Sequence, residues 1–220
     1  MDTFFTNDRF NYRGVGISEG VTSRDGLLLD LHAVIDYALA PTEQGGLGID
    51  PSNVIVRGHS LGGAVSTLLL SEMVSTTPDI VLCNTRSFST LKAAACKLLS
   101  AQYSEKIGQI ASLGITVLGW ELDAATAWSK LTTGFKWVES VGDDDIILPG
   151  AKLVDYLTND SSTTTTTTEH GGVTTTPRII QLAQGDRLSG HNRPLRSNEY
   201  AARWQMIQEA LRSGERRKEK

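Results

Sequence analysis

The 220-residue sequence predicts an α/β fold with a mainly parallel sheet, and two observations support this. Short β-branched apolar runs alternate with longer segments of helical periodicity, and one run passes through a glycine-rich turn directly into a helix. Continuously apolar strands are typical of parallel sheets that are covered on both faces. With 40% hydrophobic and 21% charged residues, the composition is that of a globular chain. We therefore expect one domain over residues 1–220.

The first elements are a helix and a strand–turn–helix unit. Apolar residues recur at helical spacing over residues 26–39, and Ser23 or Asp25 could cap this helix. Residues 53–57 form a β-branched run, as in a strand buried on both faces. A glycine-rich turn follows, and residues 64–74 have the pattern of a buried helix. This is half of a βαβ unit.

The rest of the chain continues the alternation. Residues 103–134 are predicted to be helical, and two interpretations of residues 87–134 stay open: they form much of an acyl pocket or its cap, with 103–134 as the cap, or they build the core. Residues 161–176, rich in threonine, are predicted to be a low-complexity loop. The other predicted elements are strand 79–83, helix 87–101, strand 135–141, helix 149–157 with Pro149 in its first turn, strand 178–182 and helix 198–212.

Several classes of protein are excluded for the residues supplied. No run of about 18 apolar residues is present. The first eight residues lack the basic and apolar regions of a signal peptide. Cys83 and Cys96 are the only cysteines, too few for a disulfide scaffold or a four-cysteine zinc site. The net charge of −4 argues against nucleic acid as a partner. We interpret the basic last ten residues as a solvated helix end.

The turn after the first predicted strand carries the chemistry. Residues 58–62 read Gly-His-Ser-Leu-Gly, a G-x-S-x-G motif between a strand and a helix of small residues. In such a turn a strained backbone presents the serine hydroxyl above the sheet, and small neighbours avoid Cβ collisions. The amide of Leu61 then points at the oxygen of a bound carbonyl. These features indicate Ser60 as a nucleophile. The alternative is a tight turn with an idle serine.

A nucleophilic serine needs a base, and four histidines are candidates. His32 lies in the first helix, His59 lies inside the turn and is expected to face away from Ser60, and His170 lies in the threonine-rich loop. His191 follows the last predicted strand, at the sheet edge where catalytic residues of α/β proteins collect. We therefore predict His191 as the base.

The orienting carboxylate is expected after a strand, between the serine and the histidine in chain order. Asp143, Asp144 and Asp145 follow the third predicted strand. Three adjacent acids cannot all be buried and ionised, so one is expected to face the imidazole while the others face water. Asp145 is preferred and Asp144 is second. The alternatives are an acidic turn or a divalent-ion site.

Four motifs in this order resemble the α/β-hydrolases, and most closely the BEM46-like and serine-aminopeptidase-like serine hydrolases. They are Tyr12-Arg13-Gly14, the serine turn, the segment 142–149 and Gly190-His191-Asn192. The resemblance implies Ser60 as nucleophile, Asp145 as acid, His191 as base and the Leu61 amide as an oxyanion donor. It also implies strands before Tyr12, whereas nine residues precede Phe10. We therefore expect an N-terminally incomplete domain that lacks its first strands and its second oxyanion donor.

The leading hypothesis is a serine hydrolase that cleaves an ester, thioester or amide with a hydrophobic acyl group, without cofactor or metal. The alternative is a non-catalytic binding module of the same fold, or an inactive gene fragment. A nucleotide-binding domain is disfavoured because residues 58–63 lack P-loop and G-x-G-x-x-G spacing. For the chain as given we expect a cytoplasmic location, with membrane association only through residues upstream of Met1. Nothing in the sequence indicates the oligomeric state.

Overall fold

The computed structural model describes residues 8–132, 134–159, 177–183 and 190–218, and it confirms a mixed α/β fold. One sheet contains four parallel strands in the order β1-β2-β3-β4. The strands are Ile55–His59 (β1), Val81–Thr85 (β2), Lys136–Val141 (β3) and Arg178–Leu182 (β4). Because neighbours in space follow chain order and all pairs are parallel, the carboxyl ends of the four strands lie along one edge. The site is built at this edge.

Seven helices occur in the described part of the chain. They are Arg24–Leu39 (α1), Leu61–Met73 (α2), Leu91–Gln102 (α3), Glu105–Val117 (α4), Ala124–Lys130 (α5), Leu153–Asn159 (α6) and Ser197–Lys218 (α7). Side-chain caps begin several of them, as at Ser23, whose Oγ accepts the Gly26 N–H at 3.1 Å. None of the described helices is both long and apolar enough to cross a bilayer.

Several helix and strand boundaries differ from the prediction, among them the starts of α2 (Leu61) and α3 (Leu91) and the end of α7 (Lys218), and local hydrogen bonds explain two others. β1 begins two residues late because Asp50 accepts hydrogen bonds from the backbone and hydroxyl of Ser52, which fixes a 3-10 turn. Pro149 lies before α6 rather than in its first turn. The Ala151 carbonyl accepts the Ser89 N–H at 2.7 Å, and this pairing delays the start of the helix until Leu153. The predicted loop over residues 161–176 lies outside the described residues.

Apolar side chains cover both faces of the sheet. One cluster joins α1, α2 and α5 to one face, with Leu27, Val65 and Trp128 among its buried members. The other cluster lies on the opposite face, where Trp137 of β3 and Ala210 of α7 are fully buried. This two-sided coverage explains why the strands read as continuous apolar runs.

Candidate active site

The turn between β1 and α2 holds Ser60 in a backbone conformation that side chains rarely adopt. Ser60 has φ 54° and ψ −118°. Its N–H donates to the Thr85 carbonyl at 2.9 Å, and its own carbonyl accepts the N–H groups of Gly63 and Ala64 at 3.0 and 3.3 Å. Strain of this kind persists only where surrounding contacts fix it, and it is concentrated at functional sites. These contacts come from the neighbouring strand and from the first turn of α2.

The two glycines of the G-x-S-x-G motif have different steric roles. A Cβ on Gly58 would lie 2.2 Å from the Gly62 carbonyl oxygen and 2.4 Å from its carbon. A Cβ on Gly62 would meet nothing within 4 Å. The expectation that small residues on both sides of Ser60 avoid a Cβ collision is therefore correct for Gly58 and wrong for Gly62. Only Gly58 is required by the close approach of the two ends of the turn.

The start of α2 offers a free backbone donor beside Ser60. Leu61 is the first residue of the helix, so its N–H has no acceptor inside the helix. The Ser60 side chain makes no capping hydrogen bond to the helix. The positive end of the helix dipole lies at the same place. The Leu61 amide is thus available to a negatively charged oxygen near the Ser60 hydroxyl.

His191 and Asp144 form a buried pair at the same sheet edge. The imidazole Nδ1 lies 3.1 Å from Oδ1 and 3.0 Å from Oδ2 of Asp144, and both residues are about 95% buried, with 4% and 5% exposure. Asp144 Oδ1 also accepts the N–H groups of Ile146 and Ile147 at 2.9 and 2.7 Å. Burial alone would raise the pKa of Asp144, but these hydrogen bonds outweigh it and lower the pKa. The carboxylate is held ionised against the ring.

The aspartate that faces the imidazole differs from the preferred one. Asp143 and Asp145 are exposed, and Asp145 Oδ1 accepts the backbone N–H of His191 at 3.1 Å instead of contacting its ring. The turn after β3 directs only the Asp144 side chain inward. The loop of His191 approaches closely here, since a Cβ on Gly190 would lie 2.1 Å from the Asp143 carbonyl oxygen. As predicted for three adjacent acids, one faces inward and two face water.

A ring contact joins the His191–Asp144 pair to the serine turn. The rings of His59 and His191 have centroids 4.8 Å apart, with 46° between their planes. Partial loss of hydration, followed by the electrostatic effects of the neighbouring His191 and Arg86, lowers the pKa of His59 to about 4. His59 is therefore neutral at pH 7. Elsewhere, His32 Nδ1 lies 2.9 Å from Asp36 on α1, and His170 falls outside the described residues.

Two buried cations support these loops, and the sequence analysis did not identify either one. Nη1 of Arg86, which follows β2, donates to the carbonyl oxygens of His191 and Arg193, both at 2.7 Å. Lys152 Nζ donates to the carbonyls of Val141 and Gly142, at 2.8 and 2.5 Å, just before the aspartate turn. Among the described residues, no group of three or more acidic, histidine or cysteine side chains could hold a metal ion. An ionisable residue directly after an apolar strand was the available signal for Arg86.

A cavity of about 610 Å³ runs along the outer side of β1 and reaches the serine turn at His59 and Gly62. No described strand pairs with this edge. The backbones of Val54 and Ser60 form hydrogen bonds to β2. Because successive residues of a strand direct their N–H and carbonyl groups to opposite sides, those groups of Ile55, Arg57 and His59 face the cavity.

The helices of the predicted cap, residues 103–134, do not line this cavity. α5 packs into the core through Trp128, which is 4% exposed. α4 instead exposes apolar side chains, with Leu113 at 64% and Val117 at 76% exposure. The assignment of these residues to an acyl pocket or a cap therefore stays a prediction.

The parallel sheet, the serine turn at the end of β1 and the histidine–aspartate pair at the same edge are the features of the α/β-hydrolase fold. The structure is similar to that of acetyl xylan esterase 1 from Thermoanaerobacterium sp. JW/SL YS485. The TM-score is 0.50 at 16% identity, over 90% of this chain and 64% of the esterase chain. At this identity the likeness concerns the fold.

The chain belongs to the family described as Chlamydia CHLPS protein (DUF818), whose model matches residues 9–136. It is 37% identical over 75 residues to the alpha/beta hydrolase domain-containing protein WAV2 of Arabidopsis thaliana, covering 34% of this chain and 23% of WAV2. It is 33% identical over 110 residues to the multifunctional-autoprocessing repeats-in-toxin of Vibrio cholerae, covering 43% of this chain and 2% of the toxin. The chain thus matches less than a quarter of the length of either relative.

Proposed function

We propose that this protein is a serine hydrolase that cleaves an ester, thioester or amide through an acyl-Ser60 intermediate. In this proposal His191 is the general base, Asp144 holds its imidazole, and the Leu61 amide stabilises the oxyanion. Asp144 replaces Asp145 in the role of the acid because its carboxylate is the one in contact with the ring. The proposed chemistry needs no metal or cofactor.

The observation that carries the proposal is the buried His191–Asp144 pair, whose imidazole ring lies 4.8 Å from the ring of His59, the residue that precedes the strained Ser60. A serine hydroxyl is a weak nucleophile until a neighbouring base accepts its proton. An imidazole paired through Nδ1 with an ionised carboxylate has its Nε2 free for that proton, and the carboxylate stabilises the imidazolium that forms. A buried His–Asp pair without this function would be a costly structural element.

The reaction has two balanced steps. His191 Nε2 removes the Ser60 proton as Oγ attacks the substrate carbonyl, and the same proton passes to the leaving alcohol, thiol or amine as its bond to carbon breaks. Water then attacks the acyl-serine, and His191 takes one proton from the water and returns it to Ser60 Oγ. Each tetrahedral oxyanion is stabilised by the Leu61 N–H.

Ester hydrolysis is the first reaction to test. The fold neighbour is named as an esterase and WAV2 as an α/β-hydrolase domain protein, which supports this choice. Within the superfamily we propose the BEM46-like and serine-aminopeptidase-like group, on the order of the four sequence motifs. We propose that the acyl group is hydrophobic and contacts residues within the segment 87–134.

The experiment compares turnover of p-nitrophenyl esters, from acetyl to octanoyl, by the wild-type chain and its variants. Ser60→Ala and His191→Gln are expected to abolish turnover, while the matched variants Ser71→Ala and His32→Gln retain it, because Ser71 lies near the end of α2, His32 lies on α1, and neither is a proposed catalytic or acyl-contacting residue. Rates that increase with acyl length support a hydrophobic acyl group. Turnover that persists in Ser60→Ala contradicts the proposal.

A second candidate is a non-catalytic binding module, which the free edge of β1 and its cavity favour. We also propose that a further strand from upstream of Met1 pairs with this edge and completes the sheet. In a chain extended upstream of Met1, the amides of Ile55, Arg57 and His59 are then expected to exchange their hydrogens more slowly than in the 220-residue chain. Equal exchange rates in the two chains contradict the added strand. Absence of Ser60-dependent turnover in the longer chain would favour the binding module.

A further inference from the structure

We infer that Arg86 is a positioning residue, which fixes the loop of His191 relative to Ser60. The effect on turnover rests on the proposed function, because the position of the His191 loop changes kcat only if His191 serves Ser60. Arg86 touches neither reacting group with its side chain, and it acts through backbone atoms of the His191 loop.

Thr85 and Arg86 connect both halves of the site. The Thr85 carbonyl accepts the Ser60 N–H at 2.9 Å and helps to hold the serine turn. The next residue, Arg86, donates from Nη1 to the carbonyls of His191 and Arg193, both at 2.7 Å. Two successive residues at the end of β2 therefore bind the backbone of the nucleophile and the backbone of the base. Any shift of one of these contacts changes the separation of Ser60 and His191.

The backbone of Arg86 directs its side chain across the intervening strand. Arg86 has φ 50°, and its N–H donates to the Glu139 carbonyl of β3 at 2.7 Å. The side chain must span β3, because the His191 loop follows β4 and strands are about 4.8 Å apart. Arginine has the length for this distance, and its planar fork donates in fixed directions. A shorter side chain at this position could not reach both carbonyls.

Burial and charge give this contact its rigidity. Arg86 is 6% exposed, so no bulk water competes for the two carbonyls. The carboxylates of Glu139, Glu199 and Asp144 balance its charge at a distance, but its Nε has no hydrogen-bond partner among the described residues. Burying a cation without a direct carboxylate partner is unfavourable for stability. The arrangement is consistent with a side chain whose contribution is geometric.

The test measures kcat and KM for ester hydrolysis in Arg86→Met and Arg86→Lys, with Arg24→Met as the matched control. We expect kcat to fall about 100-fold in Arg86→Met, because a displacement of about 1 Å in the site has an effect of this size. KM is expected to stay within about twofold. Arg24 pairs with Asp25 and donates from Nε to the Glu121 carbonyl at 3.0 Å, and these contacts involve none of the proposed catalytic residues, so its variant should keep the wild-type kcat. Wild-type kcat in folded Arg86→Met overturns the inference.

Two further arms separate positioning from simple loss of stability. In Arg86→Ala, millimolar guanidinium chloride is expected to restore part of kcat by refilling the vacated site, and it should not accelerate the Arg24 variant. A kcat of folded Arg86→Ala that does not rise with guanidinium chloride counts against positioning.

NMR of ¹⁵N-histidine-labelled protein measures the resonances of the His191 ring without requiring turnover. We expect its resonances to shift in Arg86→Lys, and unchanged resonances overturn the inference. If wild type lacks Ser60-dependent turnover, the proposed function fails, and this NMR arm alone decides the role of Arg86.

Discussion

The serine turn and the base loop form the two halves of the candidate site, and they are built in different ways. The serine turn depends on contacts between near neighbours in sequence, such as Gly58 with Gly62 and Ser60 with Ala64. The base loop depends on distant partners, since Asp144 is 47 residues and Arg86 is 105 residues from His191. A local motif can therefore specify the first half, whereas only the completed fold can assemble the second.

This difference predicts different kinds of damage. Substitutions in the serine turn act through backbone collisions and should reduce stability together with activity. Substitutions in the base loop remove single hydrogen bonds or charges, and they should separate activity from stability.

The largest effect is expected in the base loop, where adjacent aspartates have different partners. Asp144→Asn should lower kcat/KM by about 10⁴-fold, because an amide favours the wrong imidazole tautomer and cannot stabilise the imidazolium. Asp145→Asn should lower it less than about tenfold, since an amide oxygen can still accept the His191 N–H. Ester-hydrolysis kinetics of the two variants measure this difference. A larger loss in Asp145→Asn would show that Asp145 is the acid, as the sequence analysis preferred.

In the serine turn, Gly58→Ala is expected to destabilise the fold by about 3 kcal/mol, because its Cβ would meet the Gly62 carbonyl. Gly62→Ala should be neutral or stabilising by up to about 1 kcal/mol, because its Cβ meets nothing and alanine favours the helix. Urea denaturation of both variants gives the free energies of unfolding. Equal values for the two would contradict the asymmetry of the turn.

Glu199 anchors the base loop from α7 and gives it a pH dependence. Hydrogen bonds from Arg193 lower the pKa of Glu199 to about 2 from an ordinary 4.5, and Arg193 Nη1 lies 2.8 Å from Oε2. Because the folded pKa is depressed, this stabilisation is present above about pH 4.5 and is lost as the pH falls toward about 2. Glu199→Gln should therefore lower the free energy of unfolding by about 3 kcal/mol at pH 7. Below about pH 4.5, the free energy of unfolding of this variant should fall less steeply with pH than that of wild type.

The control for this prediction is Glu43→Gln, because Glu43 is exposed on a surface turn. Urea denaturation at pH 7 and at about pH 3, between the two pKa values of Glu199, measures the free energy of unfolding, which Glu43→Gln should leave nearly unchanged at both pH values. A Glu199→Gln protein whose stability falls as steeply with acid as that of wild type would show that another carboxylate controls this range.

The smallest effect is expected at a local contact outside both halves. Ser23→Ala removes the acceptor of the Gly26 N–H at the start of α1 and should cost about 1 kcal/mol of stability. Turnover should not change, because α1 holds none of the proposed catalytic residues. Thermal unfolding and ester hydrolysis measured on the same sample check both statements. A loss of kcat would mean that α1 is coupled to the site.

The sequence predicted the local features well. Four strands, the turn that carries Ser60 and Ser23 as one of two cap candidates follow from periodicity and short motifs, and the parallel character of the sheet follows from the alternation of strands with helices. His191 could be proposed because it follows a strand, even though its partner is 47 residues away.

The features that escaped prediction depend on three-dimensional detail. Which of three adjacent aspartates faces inward is decided by the turn after β3, whose Ile146 and Ile147 amides bind Asp144. Arg86 acquires its role only when β2 and the loop after β4 come together. Likewise, Gly62 looks equivalent to Gly58 in the motif, and only the backbone path shows that one of them has room for a side chain.

The proposed catalysis depends on Ser60 as the nucleophile activated by the His191–Asp144 pair. Peptide mapping by mass spectrometry after treatment with a fluorophosphonate probe tests this most directly. We expect one adduct on Ser60, formed rapidly in wild type and at a strongly reduced rate in His191→Gln and Asp144→Asn. An adduct on another residue, or a Ser60 adduct whose rate does not depend on His191, would contradict it.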